Sequence, residues 1–101
     1  MNIMGKKMKT TVVNLKNSKY DIYIGRGSIY GNPFRMYKES QRREVIEKYE
    51  KYFIDRIIND EHFASAVYEL KGKVLGCYCK PLACHGDIIV AYLEGTHEQK
   101  S

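Results

Sequence analysis

Three cysteines and a histidine stand close together in the segment LGCYCKPLACHGD, residues 75–87, and the chain has no other cysteine. Thiolate and imidazole groups are common zinc ligands, and both also act in nucleophilic and acid–base catalysis. Four roles are therefore open for Cys77, Cys79, Cys84 and His85. The first is to ligate a zinc ion, the second is catalysis, and the third is contact with a molecule that is bound without reaction. The fourth, for the cysteines, is to fill the core as small apolar residues.

The zinc hypothesis uses all four side chains as tetrahedral ligands. Their spacing, C-x-C-x4-C-H, differs from the C-x2-C knuckles of common zinc modules, and adjacent ligands such as Cys84 and His85 fit one ion awkwardly. In the catalytic hypothesis, Cys84 is a nucleophile or His85 a general acid and base, because the first turn of a helix favours a thiolate. The other histidines, His62 in a predicted helix and His97 near the chain end, are poorly placed to activate Cys84.

A second candidate for chemistry is the segment GRGSIYGNPF, residues 25–34, called here the glycine-rich loop. Its glycines permit close approach of a ligand to the backbone. Arg26 carries a planar fork of donors that suits phosphate or carboxylate, and Asn32 precedes a proline that favours a fixed, extended backbone. The spacing G-x-G-x-x-x-G matches neither a dinucleotide fingerprint nor a Walker loop. A glycine-rich turn that Phe34 anchors in the core is the alternative to an anion-binding loop.

Both segments follow the carboxyl end of a predicted strand, and ligands of open α/β sheets collect in the crevice outside these ends. If the strands are parallel neighbours, the two segments converge on one cleft, which we predict to bind a phosphorylated or nucleotide-like small molecule. Arg26 is expected to meet anionic oxygens, and His85 with Asp87 to meet the polar part of the ligand. The predicted ligand-binding residues are Gly25, Arg26, Gly27, Ser28, Asn32, His85, Gly86 and Asp87.

Three short apolar segments predict the strands that carry these loops. TTVVNL (10–15) and DIYIG (21–25) are rich in β-branched and aromatic residues. KVLGCYC (73–79) is apolar on both alternating faces, as expected of a central strand that is covered on each side. On such a strand, Cys77 and Cys79 point to the same face.

Hydrophobic periodicity predicts three helices. The first begins after Ser40 and ends near Asp60, with apolar residues recurring at i+4 and with charged residues, Arg42 among them, on a solvated face. A second covers EHFASAVYELKG, and a third covers 84–93 with Gly95 as its terminator. The element order predicts a small single α/β domain. Its central sheet is mostly parallel, with three or four strands, about three packed helices and a Rossmann-like tendency.

Composition narrows the classes of protein. A chain of 101 residues with 44% hydrophobic and 29% charged residues is typical of one globular domain, and no apolar run is long enough to cross a bilayer. We expect a domain at 10–95 between a flexible basic tail at 1–9 and a flexible tail at 96–101. The first ten residues do not indicate a secretory signal, so we expect a cytoplasmic protein with reduced cysteines and no membrane partner.

The net charge of +5 raises the question of nucleic-acid binding. Between Thr11 and Gly95, 13 Lys and Arg residues face 11 Asp and Glu residues, which leaves about +2 for the predicted domain. A zinc-stabilised nucleic-acid module is therefore the less favoured alternative to a small-molecule site. Nine tyrosines would suit a homo-oligomer interface, although core packing explains them equally well.

The two segments, together with VVNL and YELKGKVLGCYC, resemble the small bacterial and phage proteins grouped as domain of unknown function 4326. The resemblance covers roughly Thr11 to Leu93. Its Gly-Asn-Pro-Phe and Cys-His-Gly motifs appear here at Gly31–Phe34 and Cys84–Gly86, and the chain departs from the pattern at Tyr78, where another kind of aromatic residue is common. The resemblance implies that the two motifs define a shared site and that the protein is of phage or prophage origin. A phage protein of this size is expected to sequester or process a nucleotide, and the alternative is a Cys- and His-dependent enzyme acting on a nucleoside derivative.

Overall fold

The computed structural model describes residues 9–95, and the tails expected at 1–8 and 96–101 lie outside the described residues. The elements run β1 (Thr11–Asn14), β2 (Ile22–Tyr23), a 3-10 turn (Glu39–Gln41), α1 (Arg42–Asn59), α2 (Glu61–Tyr68), β3 (Val74–Cys77) and α3 (His85–Glu94). The predicted α/β class, with three helices and a parallel sheet, is confirmed.

The sheet has the order β1-β3-β2, and both pairs of neighbouring strands are parallel. The last residue of β1, Asn14, pairs with Cys77 at the end of β3, and Tyr23 of β2 pairs with Gly76. The central position predicted for KVLGCYC is confirmed, and β3 is almost entirely buried. Because all three strands point the same way, the segments that follow them leave the sheet at one common edge.

The junction between α1 and α2 depends on Asp60. This residue ends α1, and its side chain accepts a hydrogen bond from the amide of Phe63 at 3.1 Å, which satisfies one open donor of α2. Arg56 donates to the other carboxylate oxygen at 3.0 Å. The predicted end of the first helix is confirmed, and one carboxylate serves both helices.

The core lies between the helices and the sheet. None of the helices in the described range is long and apolar enough to span a bilayer. Gly86 in the first turn of α3 lies directly on the sheet, since a Cβ there would come within 2.9 Å of Ile24 and 3.0 Å of Val12. α3 ends at Gly95, whose φ of 82° is left-handed, as the sequence predicts. The buried apolar residues are Ile24, Tyr49, Phe53, Phe63, Val67, Leu70, Leu75, Cys77, Cys84, Ile89 and Leu93.

Candidate functional site

A cavity of about 440 Å³ opens at the carboxyl edge of the sheet. Its walls come from the glycine-rich loop, from the first turns of α1 and from the segment that joins β3 to α3. Arg26 and His85, which are far apart in the sequence, both line it, as do Asn32 and Cys84. The two segments that the sequence singled out therefore meet in one cleft.

The first part of the glycine-rich loop is a turn held by its own hydrogen bonds. The Ser28 hydroxyl donates to the carbonyl of Gly25 at 2.7 Å, and the Tyr23 hydroxyl donates to the carbonyl of Arg26 at 2.8 Å. Gly27 has a φ of 96°, a backbone angle that residues with a side chain rarely adopt. Gly25 and Arg26 line the cavity, whereas Gly27 and Ser28, predicted as ligand contacts, shape the turn instead of lining the cavity.

The second part of the loop is fixed against the first and against α1. A Cβ on Gly31 would lie 2.7 Å from the carbonyl oxygen of Gly25, so only glycine fits this crossing. Asn32 accepts a hydrogen bond from the amide of Phe34 at 2.8 Å and donates to the carbonyl of Val45 at 3.4 Å. The amide of Asn32 therefore positions the loop, and its side chain also lines the cavity.

His85, the first residue of α3, is a neutral ring with a defined tautomer. It is 7% exposed, and its Nε2 lies 2.7 Å from the carbonyl oxygen of Ile24. Since a carbonyl can only accept, Nε2 carries the proton and Nδ1 keeps its lone pair. Burial lowers the pKa of His85, and the Ile24 carbonyl opposes this only in part. No buried side-chain nitrogen or oxygen among residues 9–95 lacks a partner, and the ring of His85 belongs to the lining of the cavity.

Cys77, Cys79 and Cys84 form a compact group, the thiol cluster. Their sulfur atoms all lie within 4.8 Å of one another, and those of Cys77 and Cys84 are 3.3 Å apart. All three are free thiols that line the cavity, and only Cys79 is partly exposed. The thiols are close enough to ligate one metal ion. His85, the fourth ligand of the predicted zinc site, is not in this group, because its ring turns one nitrogen to Ile24.

The thiols differ in acidity. Hydrogen bonds from Cys77 and Cys84, with a further contribution from Arg42, lower the pKa of Cys79. The same thiol contacts, with burial, raise the pKa of Cys84. Cys84 lies at the N-terminus of α3 as predicted, and its contacts with the two other thiols, followed by burial, outweigh the effect of the helix end on its pKa.

Arg42 is the cavity residue that sequence reasoning assigned to the wrong surface. The helical pattern put it on the solvated face of α1, but its side chain is only 17% exposed. It pairs with Glu39 and donates to the carbonyl of Ala83 at 2.7 Å, next to Cys79. Its position at the first turn of α1, facing the segment after β3, depends on the tertiary fold, and no local pattern indicates it.

Asp87 and Gly86 do not line this cavity. Asp87 accepts a hydrogen bond from the amide of Cys84 at 3.1 Å and pairs with Lys80. It faces a separate, shallower cleft of about 400 Å³ beside β1. Its capping role explains why an acidic residue follows Cys84 by three positions, and the expected convergence of Asp87 with Arg26 does not occur. Gly86 is used for close packing of α3 on the sheet.

A family model described as domain of unknown function (DUF4326) matches residues 7–95. The chain belongs to this family. The resemblance drawn from the two motifs is thus confirmed, and the match extends slightly beyond the residues that carried it.

A phage protein is also similar to this DUF4326 chain. It is the uncharacterized 12.4 kDa protein in the nrdA-td intergenic region of Enterobacteria phage T4. The two are 44% identical over 79 residues, which cover 77% of this chain and 71% of the phage protein. No solved structure matches the chain.

Proposed function

We propose that the protein binds a phosphorylated or nucleotide-like small molecule in the cavity between the glycine-rich loop and the start of α3. The observation that carries the proposal is that Arg26 and His85, from two distant segments, line one cavity at the carboxyl edge of a parallel sheet. This edge is where ligands of open α/β folds bind.

The size and walls of the cavity support a ligand with an aromatic ring. A volume of about 440 Å³ lies within the range of small-molecule pockets. The rings of Tyr23 and Tyr78, which contact each other edge to face with centroids 6.3 Å apart, form part of its wall, and Phe34 forms another part. Such surfaces stack well on a planar base.

Polar groups support the other half of the ligand. Arg26 is exposed at the cavity and offers paired donors to a phosphate group. The unprotonated Nδ1 of His85 offers an acceptor for an amino or hydroxyl group. Together they would orient one ligand with its anionic end near the loop and its polar end near α3.

Isothermal titration of the full chain with nucleosides and their mono-, di- and triphosphates tests the proposal. We expect phosphorylated forms to bind at least about tenfold more tightly than the matching nucleosides, a difference of about 1.4 kcal/mol. Arg26→Ala should remove this preference. Arg43→Ala is the matched control, because its side chain is 90% exposed on α1, outside the cavity lining. The absence of binding by every phosphorylated form, or an equal loss in both variants, would contradict the proposal.

A second candidate function is zinc binding, which the thiol cluster favours because thiolates are preferred ligands of zinc. Elemental analysis of protein purified under reducing conditions, compared with Cys79→Ser, tests it. One zinc per chain that is lost in the variant is the expected result, and equal zinc content in both proteins would contradict it.

The three free thiols are also what a reducing compartment maintains, and we propose the cytoplasm as the location. Fractionation of cells that express the tagged protein tests this, with recovery among secreted proteins as the contrary result. Catalysis by Cys84 or His85, homo-oligomer formation and nucleic-acid binding stay predictions from the sequence.

A further inference from the structure

We infer that a zinc ion held by the thiol cluster keeps its fourth coordination position open to the cavity, where an oxygen or nitrogen donor from solvent or from the bound molecule completes the tetrahedron. This inference rests on the zinc binding proposed above. It does not require that the molecule in the cavity be a nucleotide.

The spacing of the sulfur atoms fits three corners of a tetrahedron. Zinc–sulfur bonds of about 2.3 Å require sulfur atoms roughly 3.8 Å apart. The thiol cluster has its shortest separation at 3.3 Å, between Cys77 and Cys84, and all its separations are within 4.8 Å. Changes of at most about 1 Å in these separations, within reach of small side-chain rotations, would be enough to seat the ion.

The direction of the open position follows from burial. Cys77 and Cys84 are each 1% exposed, so the core closes the cluster on one side. All three cysteines line the cavity, which is the open space beside them. Among residues 9–95, no histidine, further cysteine or carboxylate joins the three thiols as a fourth ligand. Structural zinc sites have four protein ligands, whereas sites with three keep a position for water or substrate.

His85 is the side chain that would otherwise close the site. Its Nε2 is committed to the carbonyl of Ile24, which is itself completely buried. The ring also contacts the buried ring of Tyr49 edge to face, with centroids 5.2 Å apart. These contacts hold the imidazole beside the cluster and outside the ligand set.

The surroundings also match the charge of such a centre. Three thiolates and a Zn²⁺ ion together carry one negative charge. Arg42 lies next to Cys79 and is anchored on the carbonyl of Ala83, and Lys80 lies near Cys77 and Cys84. Arg42 is also paired with Glu39 and Lys80 with Asp87, so these ion pairs hold both cationic groups in place beside the cluster, where they favour a net negative centre.

Cobalt substitution measures the fourth position directly. The full chain is stripped with chelator under a phosphine reductant and titrated with Co²⁺, a spectroscopic probe for tetrahedral zinc sites. We expect one Co²⁺ per chain, with a thiolate-to-cobalt band in the near ultraviolet and visible bands of tetrahedral cobalt. Addition of azide or imidazole should then shift the visible bands with saturation, because each reaches the metal through the cavity.

Two substitutions separate the three-ligand site from the four-ligand site. Cys79→Ser should weaken Co²⁺ binding by more than about 100-fold, the upper range for changes outside a ligand set. His85→Gln, compared under conditions where circular dichroism shows it folded, should still bind one Co²⁺ per chain with tetrahedral visible bands that respond to azide, and the exposed control His62→Gln should match the parent. Failure of the parent to bind Co²⁺, parent bands that ignore both azide and imidazole, or loss of the tetrahedral bands in folded His85→Gln but not in His62→Gln would each overturn the inference.

Two forms of the same preparation keep this inference separate from the nucleotide proposal. Nucleotide titration is done on metal-free protein, whereas the azide response is read on the cobalt form. Nucleotide binding without an azide response rejects the open metal position alone. An azide response without nucleotide binding supports the open position and rejects the nucleotide proposal.

Discussion

The Nε2 atom of His85 lies 2.7 Å from the carbonyl oxygen of Ile24, and both residues are buried. This hydrogen bond joins the first residue of α3 to the residue that follows β2. It therefore links the residue just before the glycine-rich loop to the start of α3, beside the cavity that the two segments form.

Removal of this bond should destabilise the fold. His85→Ala leaves the Ile24 carbonyl buried without a donor, and we expect the free energy of unfolding to fall by about 2–3 kcal/mol, the cost of an unsatisfied buried group with some loss of packing. Urea denaturation followed by circular dichroism measures this. His62→Ala, at an exposed position of α2, should stay within about 0.5 kcal/mol of the parent. Equal effects of the two substitutions would show that the bond contributes nothing.

The crossing inside the glycine-rich loop should not tolerate a side chain. In Gly31→Ala the new Cβ would lie 2.7 Å from the backbone oxygen of Gly25, which cannot rotate away. We expect a loss of about 1–3 kcal/mol in unfolding free energy, typical of overpacking. The displaced turn also carries Arg26, so affinity for phosphorylated ligands should fall as well. Ser40→Ala, at an exposed position before α1, is the control, and an unchanged midpoint in Gly31→Ala would refute the close contact.

Asp87 should matter for stability and not for binding in the cavity. Asp87→Ala removes the acceptor for the Cys84 amide and the partner of Lys80, so we expect a loss of about 1 kcal/mol, the usual cost of a lost cap. Ligand affinity should be unchanged, because Asp87 faces the other cleft. Urea denaturation and calorimetric titration of the same sample measure both quantities. A large loss of affinity with normal stability would restore Asp87 to the ligand site.

Acid should weaken the junction of α1 and α2. The Arg56 guanidinium, and next the Phe63 amide, hold the pKa of the Asp60 carboxyl below its usual value. A lowered folded-state pKa means that the charged carboxylate stabilises the fold above the ordinary carboxyl pKa of about 3.9. This contribution is lost as the pH falls through the lowered folded-state value.

Asp60→Asn tests this, because it keeps an acceptor for Phe63 and removes the charge. We expect its Tm to be a few degrees below that of the parent at neutral pH and equal to it in strong acid. Asp55→Asn, at an exposed position of α1, is the control at both pH values. A Tm difference for Asp60→Asn that does not change with pH would rule out the charge as its cause.

Local patterns in the sequence determined the elements. The i+4 apolar spacing of the first helix, its end at Asp60 and the left-handed glycine at Gly95 are all observed, because backbone preference and helical periodicity act within a few residues. The run KVLGCYC indicated a central strand, because a strand buried on both faces must be apolar on both. The glycine-rich loop and the segment at 75–87 were located for the same reason, as short stretches of unusual residue types.

Only the tertiary structure decided which side chains face one another. Arg42 lies beside Cys79, and Asp87 faces a cleft other than the cavity. The His85 ring is bonded to the Ile24 carbonyl and does not join the thiol cluster. The sequence placed Arg42 by its helical pattern, and His85 and Asp87 by the segment that contains them, but the position of each side chain depends on a contact between residues far apart in the chain. Such contacts are set by the strand order β1-β3-β2 and by the seating of α3 on the sheet, and neither leaves a periodic trace in the sequence.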